Sequence, residues 1–200
     1  MSVQIGDNSA AERNKRPIFD ALLPWLRDAH CVLEVGAGDA THARHARQRL
    51  PETVWQTSEA PGHHRRLVAA LADRQERHLP APLALDVRGR WPDGPFDAVY
   101  GANVAHIMDW VAVEALFAGA ARTLAPAGLL CLYGPFLRAG VAPEPGNAAF
   151  DAALRARDPA MGLREIEALD TLAARGALTR VDDIAMPSDN RLLVWRKRDV

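Results

Sequence analysis

From about residue 30 onward, apolar runs of strand length alternate with longer amphipathic stretches. A pattern that keeps switching between extended and helical spacing builds βα units around a sheet covered on both faces. The expected fold class is therefore α/β, a Rossmann-like, mostly parallel sheet with helices on both faces. The first run, Cys31-Val32-Leu33-Glu34-Val35, stops at Gly36-Ala37-Gly38 and is followed by a helical pattern over residues 41–50. A second run over 54–58 ends at Glu59, and Pro61 then opens a helix, since proline fits the first helical position. Leu83-Ala84-Leu85 before Asp86 forms a short third strand, and residues 96–101 form a fourth after the turn-rich Trp91-Pro92-Asp93-Gly94-Pro95. Asp109 is the expected N-cap of a helix reaching Leu124, and Pro126-Ala127-Gly128 turns the chain into a fifth strand over 129–133. Residues 134–146, rich in Pro and Gly, are expected to form a functional loop. The helical pattern resumes from Asn147 to Gly176 with breaks near Pro159 and Gly162, and residues 178–186 and 191–195 read as a closing hairpin.

With 200 residues the chain suits one core, so a single domain over 1–200 is expected. Within it, 1–29 reads as an N-terminal helical cap segment and 134–175 as a loop–helix insertion on the substrate side. Lys plus Arg number 24 against 25 Asp plus Glu, so no overall basic field favours nucleic acid or an anionic membrane. The apolar stretches over 96–108 and 124–137 are too short and too interrupted to span a bilayer, and no secretory signal opens the chain. Cys31 and Cys131 lie in strand-like surroundings, as buried reduced thiols do, so a cytoplasmic location is expected. His42 and His45 share a helix face, but no further ligand type completes a set, so no metal is expected.

The chemistry starts at Glu34-Val35-Gly36-Ala37-Gly38. Glycines between a buried strand and a helix let the backbone approach a ligand closely, as in nucleotide-like cofactor sites. Glu59 ends the next strand at the spacing that ribose recognition requires, and a carboxylate there can accept hydrogen bonds from both ribose hydroxyls. Two cofactor classes use such a turn. The dinucleotide fingerprint has a third glycine, which Gly36-Ala37-Gly38-Asp39-Ala40-Thr41 lacks, and Asp39 would set a negative charge near a pyrophosphate. A sulfonium cofactor has no phosphates and tolerates acidic neighbours such as Glu34 and Asp39, so S-adenosylmethionine is favoured over NAD.

At these residues the chain resembles the class I S-adenosylmethionine-dependent methyltransferases, through residues 32–38, Glu59, Asp86-Val87 and Phe96-Asp97-Ala98-Val99. More closely it is similar to a poorly characterised methyltransferase-like family. That similarity rests on Ala11-Glu12-Arg13-Asn14-Lys15, Trp55-Gln56, Asn103-Val104-Ala105-His106-Ile107, Leu132-Tyr133-Gly134-Pro135-Phe136, Asn147-Ala148-Ala149-Phe150-Asp151 and residues 154–159. The resemblance implies a seven-stranded sheet whose last strand is antiparallel. It also implies that Gly36 and Gly38 line the cofactor's amino-acid moiety, Glu59 holds the ribose, Asp86 and Val87 frame the adenine, and Asn103 stands beside the transferred methyl. The chain departs from that family in having Glu59 for the usual Asp, Asp39-Ala40 where a small residue and Gly are common, and Pro145-Gly146 for a more polar pair.

Several positions admit two readings. Arg13 either pairs with the cofactor's carboxylate or sits in a solvated helix start. Trp110, Tyr133 and Phe136 form either an aromatic wall around an acceptor or part of the core. His106, near the carboxyl end of a strand where open α/β sheets bind their ligands, is either a catalytic base of ordinary pKa, about 6.5, or a packed histidine. Asn147, Asp151 and Arg155 are either acceptor contacts or helix-surface pairs. The function that follows is methyl transfer from S-adenosylmethionine to a small-molecule acceptor. Its rivals are an NAD-linked oxidoreductase and a non-enzymatic interaction module that has kept the cofactor fold. Neither acceptor nor oligomeric state is legible.

Overall fold

The computed structural model describes residues 9–73 and 79–199. Helix α1 (Ala10–Leu26) begins where Ser9 accepts the Glu12 N–H, and it buries Ile18, Phe19, Leu22 and Leu26. Residues 1–8 of the expected cap segment lie outside the described residues. The βα pattern follows as β1 (Cys31–Val35), α2 (Thr41–Arg49), β2 (Val54–Glu59), α3 (Pro61–Asp73), β3 (Leu83–Ala84), β4 (Phe96–Ala102) and α4 (Trp110–Thr123). Asp109 caps α4 as expected, its carboxylate accepting the Ala112 N–H at 2.8 Å. The rest comprises β5 (Leu124–Leu137), α5 (Pro145–Arg157), β6 (Arg164–Glu165), α6 (Ile166–Arg175), β7 (Leu178–Met186) and β8 (Asn190–Lys197).

Among the described residues, seven strands form one sheet in the order β3-β2-β1-β4-β5-β8-β7, and the two-residue β6 pairs with the end of β5. The strands from β3 through β5 are parallel, while β8 runs antiparallel to both β5 and β7. β5 starts earlier than its apolar run suggests. Leu124 already pairs with Phe96 and Leu129 with Ala98, so Pro126-Ala127-Gly128 is an irregularity within the strand, with Ala127 at φ 58. The period of two along β5 then sends Cys131 and Tyr133 to one face, and Leu130, Leu132 and Phe136 to the other.

Each face carries its own core. α1, α2 and α3 cover Val32, Trp55, Tyr100, Cys131 and Val194, while α4 and α6 cover Leu33, Val99, Leu130, Leu193 and Trp195. On the second face Trp91 is laid against α4 at Gly119, where an added Cβ would stand 1.9 Å from its ring. The indole N–H donates to the Val87 carbonyl at 2.9 Å, which fixes the loop after β3.

Gly119→Ala sets helix propensity, which favours alanine by about 1 kcal/mol, against this overlap. Displacing a buried indole costs more, so the variant should lose about 1–3 kcal/mol of stability. A urea midpoint equal to or above that of the parent would refute that packing.

Candidate active site

The carboxyl ends of β1, β2 and β4 and the loop after β3 open into a cleft of about 560 Å³. Gly36, Gly38, Glu59, Asp86, Val87 and Asn103 all line it. The chain leaves β1 through two left-handed glycines, Gly36 at φ 73 and Gly38 at φ 60. The N–H groups of Gly36 and Ala37 both donate to the Ser58 carbonyl, at 3.0 and 2.9 Å, which ties the turn to the end of β2. Val104 explains the absence of a side chain at Gly36: its Cγ1 would lie 2.5 Å from a Cβ there. Gly38 faces open space, with nothing within 4 Å of a Cβ position.

Glu59 crosses to this turn. One carboxylate oxygen accepts the Gly38 N–H at 2.9 Å, and the other accepts the N–H of Ala60 at 2.8 Å. A carboxylate offers about four lone-pair directions, so the group is held in place with capacity left for a vicinal diol. Asp86 is exposed on a tight turn, where it accepts the Arg88 N–H at 3.0 Å while its carbonyl accepts the Gly89 N–H. Arg88 in turn pairs with Asp109, joining the β3 loop to the start of α4. Asn103 takes a left-handed φ of 59 and donates its N–H to the Tyr133 carbonyl at 2.8 Å. Asparagine tolerates that conformation better than most residues. An open turn, an oriented carboxylate and an exposed aspartate around one elongated cleft fit an adenosyl cofactor.

Other expected site residues lie elsewhere. Glu34 is 2% exposed and turns under the glycines, accepting the Trp55 indole N–H at 2.7 Å. Burial is the largest influence on it, and its pKa is pushed up to about 8 against the lowering effect of Trp55. It supports the turn from beneath and does not line the cleft. Asp39 does not line the cleft and accepts the Thr41 N–H at 3.1 Å: burial acts to raise its pKa, but hydrogen bonds from Thr41 and the charge of Arg44 prevail and lower it. Arg13 is exposed on α1 and is not among the residues lining the cleft. Its neighbour Asn14 carries the local contact, meeting His42 Nε2 at 2.9 Å, while the Tyr100 hydroxyl meets His42 Nδ1 at 3.0 Å.

The three aromatic residues make no common wall. Tyr133 projects to the α1 face, where it bonds to Asn14, whereas Phe136 packs in the core on the opposite face. Trp110 donates its indole N–H to Glu114 at 3.2 Å beneath the Arg164 guanidinium. Asn147 latches α5 to the β7–β8 turn through the carbonyl and carboxylate of Asp189. Asp151 holds Arg155 at 2.9 Å and the Leu163 N–H at 2.6 Å, so this pair braces the loop after α5.

His106 is 6% exposed, edge-on to Phe150 at 5.3 Å between centroids, and it stands behind the cleft wall. Burial, followed by the charge of Arg164, lowers its pKa to about 4. The expected titration near 6.5 is therefore displaced to acid pH. Ala60 after β2, His63 and Arg66 from α3, Val104, Ile107 and Met108 after β4, and Asp158 after α5 also line it. Val104, Ile107 and Asp158 fall in segments that carry the family resemblance, whereas His63, Arg66 and Met108 had no signal in the sequence, because wall residues that contribute shape and cover carry no motif. Among the described residues no cluster of three or more His, Cys, Asp or Glu could hold a metal, and no helix is long and apolar enough to cross a membrane.

The fold is that of the S-adenosylmethionine-dependent methyltransferases. An O-methyltransferase family protein from Burkholderia thailandensis superimposes with a TM-score of 0.81 at 14% identity, over 94% of this chain and 57% of its own. Human N-acetylserotonin methyltransferase, solved in complex with SAM, gives 0.75 at 14% identity, over 94% and 54%. The mitomycin 7-O-methyltransferase MmcR gives 0.76 at 16% identity, over 93% and 57%. The chain thus spans little more than half the length of these structures. It belongs to the family described as "Protein of unknown function (DUF938)", whose profile matches residues 7–197.

The buried groups beneath the site set the pH dependence of stability. Glu34 has a folded pKa raised from 4.5 to about 8, so its contribution is present at low pH and is lost as pH rises through that interval. His42 and His106, both lowered to about 4, act oppositely: their contribution is present above 6.5 and is lost as pH falls toward 4. Glu34→Gln keeps an acceptor for Trp55 without a titrating proton. It should remove the alkaline decline and be more stable than the parent at pH 8.5, by an amount on the order of a few kcal/mol. Urea titrations of both proteins from pH 6 to 9 test this, and parallel curves would mean that Glu34 is ionised in the folded chain.

Proposed function

We propose that this chain is an S-adenosylmethionine-dependent methyltransferase acting on a small-molecule acceptor. The observation that carries the reading is the left-handed Gly36–Gly38 turn with the Glu59 carboxylate anchored to it, at one end of a cleft that also contains Asp86, Val87 and Asn103. The methyltransferase fold supports it, as does the SAM complex of the human neighbour. When bound, S-adenosylmethionine supplies an electrophilic methyl group on a sulfonium sulfur.

In this reading Gly36 and Gly38 let the backbone receive the amino-acid end, Glu59 accepts from both ribose hydroxyls, and Asp86 and Val87 frame the adenine. Asn103 borders the place of transfer. Val104, Ile107 and Met108 exclude water on one side, which strengthens the polar contacts inside. Residues 134–175 form the acceptor side, since Asp158 reaches the cleft from that segment. His106, neutral above about pH 4 and standing behind the cleft wall, is a weak base for an acceptor's proton, so this reading asks no general base of it. Alignment of acceptor and methyl carbon supplies the larger part of the acceleration, on the order of 7–11 kcal/mol in well-oriented reactions. An NAD-linked activity is disfavoured by the missing third glycine, and an interaction module without catalysis predicts no cofactor affinity.

Calorimetry with S-adenosylhomocysteine should show one site per chain, and NAD should give no saturable heat. Glu59→Ala should weaken that binding by about 1.5–3 kcal/mol, the range for hydrogen bonds to a charged group, and Glu59→Gln by less. Saturable NAD binding without adenosyl binding would overturn the reading, and a Glu59→Ala variant of parental affinity would remove Glu59 from the ribose.

A further inference from the structure

Arg164 is the buried charge that this reading does not use. It is 9% exposed and, among the described residues, makes no ion pair. A guanidinium removed from water without a carboxylate partner is costly unless its N–H groups are satisfied. Here they are satisfied by backbone carbonyls. Nε donates to Ala105 at 3.2 Å, while Nη2 donates to Met108 and, at 2.8 Å, to Ala160. The guanidinium also lies 5.9 Å from the centroid of the Trp110 ring, in cation–π range. The Gly162 N–H adds a bond at 3.0 Å to the carbonyl of His106.

These contacts join two stretches of chain that face each other across one end of the cleft. Val104, Ile107 and Met108 line it from the turn after β4, and Asp158 lines it from the loop after α5. Arg164 holds carbonyls in both, since Ala105 and Met108 belong to the first and Ala160 to the second. The loop is itself braced. Asp151 accepts the Leu163 N–H, and the Asp151–Arg155 pair fills the space over Gly162, where a Cβ would lie 2.6 Å from the guanidinium of Arg155. The planar fork of arginine suits this bridging, whereas a lysine ammonium on a flexible stem cannot reproduce its geometry.

We propose that Arg164 is the positioning residue of the acceptor end of the cleft: its guanidinium, bonded to carbonyls of both stretches, sets the distance between the two walls. The proposal rests on the methyltransferase reading for what the cleft does, and on the carbonyl contacts alone for what Arg164 holds. His106 faces Phe150 of α5 and the Gly134 backbone of β5, and its Nδ1 lies 3.7 Å from where a Gly134 Cβ would stand. Neither supplies charge; burial first and then the Arg164 guanidinium lower its pKa, so the ring reports on where that guanidinium stands. Arg155, Asp151 and Asp109 act in turn on Arg164.

Two variants of the full chain separate the charge of Arg164 from its fork. Arg164→Met keeps the apolar stem and removes both charge and fork, while Arg164→Lys restores the charge alone. The readouts are the NMR titration of the His106 ring, amide hydrogen exchange over residues 104–108, and the dissociation constant of S-adenosylhomocysteine. In Arg164→Met the His106 titration should move upward by at least half a pH unit and exchange over 104–108 should accelerate about tenfold or more, with affinity weakened about tenfold. In Arg164→Lys the titration should stay near the parental value while exchange still accelerates. Parental titration and exchange in a folded Arg164→Met chain would overturn the proposal, and so would global unfolding of both variants, which would make Arg164 a core residue. If the parent fails to bind the adenosyl ligand, the methyltransferase reading falls, yet titration and exchange still judge Arg164.

Discussion

The turn that leaves β1 is fastened from three directions, and the position of every other cleft residue is measured from it. Its first two N–H groups go to the Ser58 carbonyl, the third, from Gly38, goes to the Glu59 carboxylate, and Val104 presses on it from the end of β4. Val104 can do so only because both Gly36 and Gly101 lack a Cβ: a side-chain carbon at Gly101 would meet Val104 Cγ2 at 2.9 Å. The ends of β1 and β4 are thereby locked together by a single valine and two glycines, and the Ser58 and Glu59 bonds add the end of β2 to the same rim. A cleft that holds an elongated ligand needs its ends at a fixed separation, and the parallel sheet supplies that through strand spacing alone.

Beneath the rim lies a layer of polar groups that never reach a ligand. Glu34 with Trp55, and His42 with Asn14 and Tyr100, fill the space between the turn, α1 and α2. A buried carboxyl that stays protonated and an imidazole that stays neutral can be desolvated without the cost of a charge. The layer is therefore a hydrogen-bonded part of the core. It gives α1 a fixed seat against α2 through Asn14, with Arg13 on the exposed face of the helix.

The alternation of strands and helices, the turn, Glu59, the Asp109 cap and the closing hairpin were all legible in the sequence, because each is set by local spacing or by one residue's conformational preference. The chain even shows a local rule being strained: Ala40 takes φ 62 at the start of α2, where glycine is common in the similar family. What could not be read depends on which face a side chain takes or on contacts far apart in sequence. Tyr133 and Phe136 look like neighbours in an aromatic patch, but an odd separation along a strand sends them to opposite faces. Glu34 looks like a ligand because it precedes the glycines, yet the same alternation turns it inward toward Trp55. His106 looks like an ordinary histidine until burial and Arg164, which is 58 positions further on, displace its titration.

That last case bears on how a site of this kind divides its work. The end of the cleft at the glycine turn is built from residues close in sequence to strand ends, and its geometry comes with the sheet. The other end is reached by an excursion of chain between β5 and β7 that must be brought back to the sheet by its own contacts. Asn147 ties the start of α5 to the β7–β8 turn, the Asp151–Arg155 pair covers Gly162, and Arg164 grips the turn after β4. These fastenings, side chain to backbone at Arg164 and partly side chain to side chain at Asn147 and Asp151, fix where the excursion lies while leaving its cleft-facing residues free to vary. Ile107 and Phe150 are both large, apolar and exposed, Ile107 in the cleft wall and Phe150 edge-on to His106, so the excursion also meets the turn after β4 through an aromatic contact.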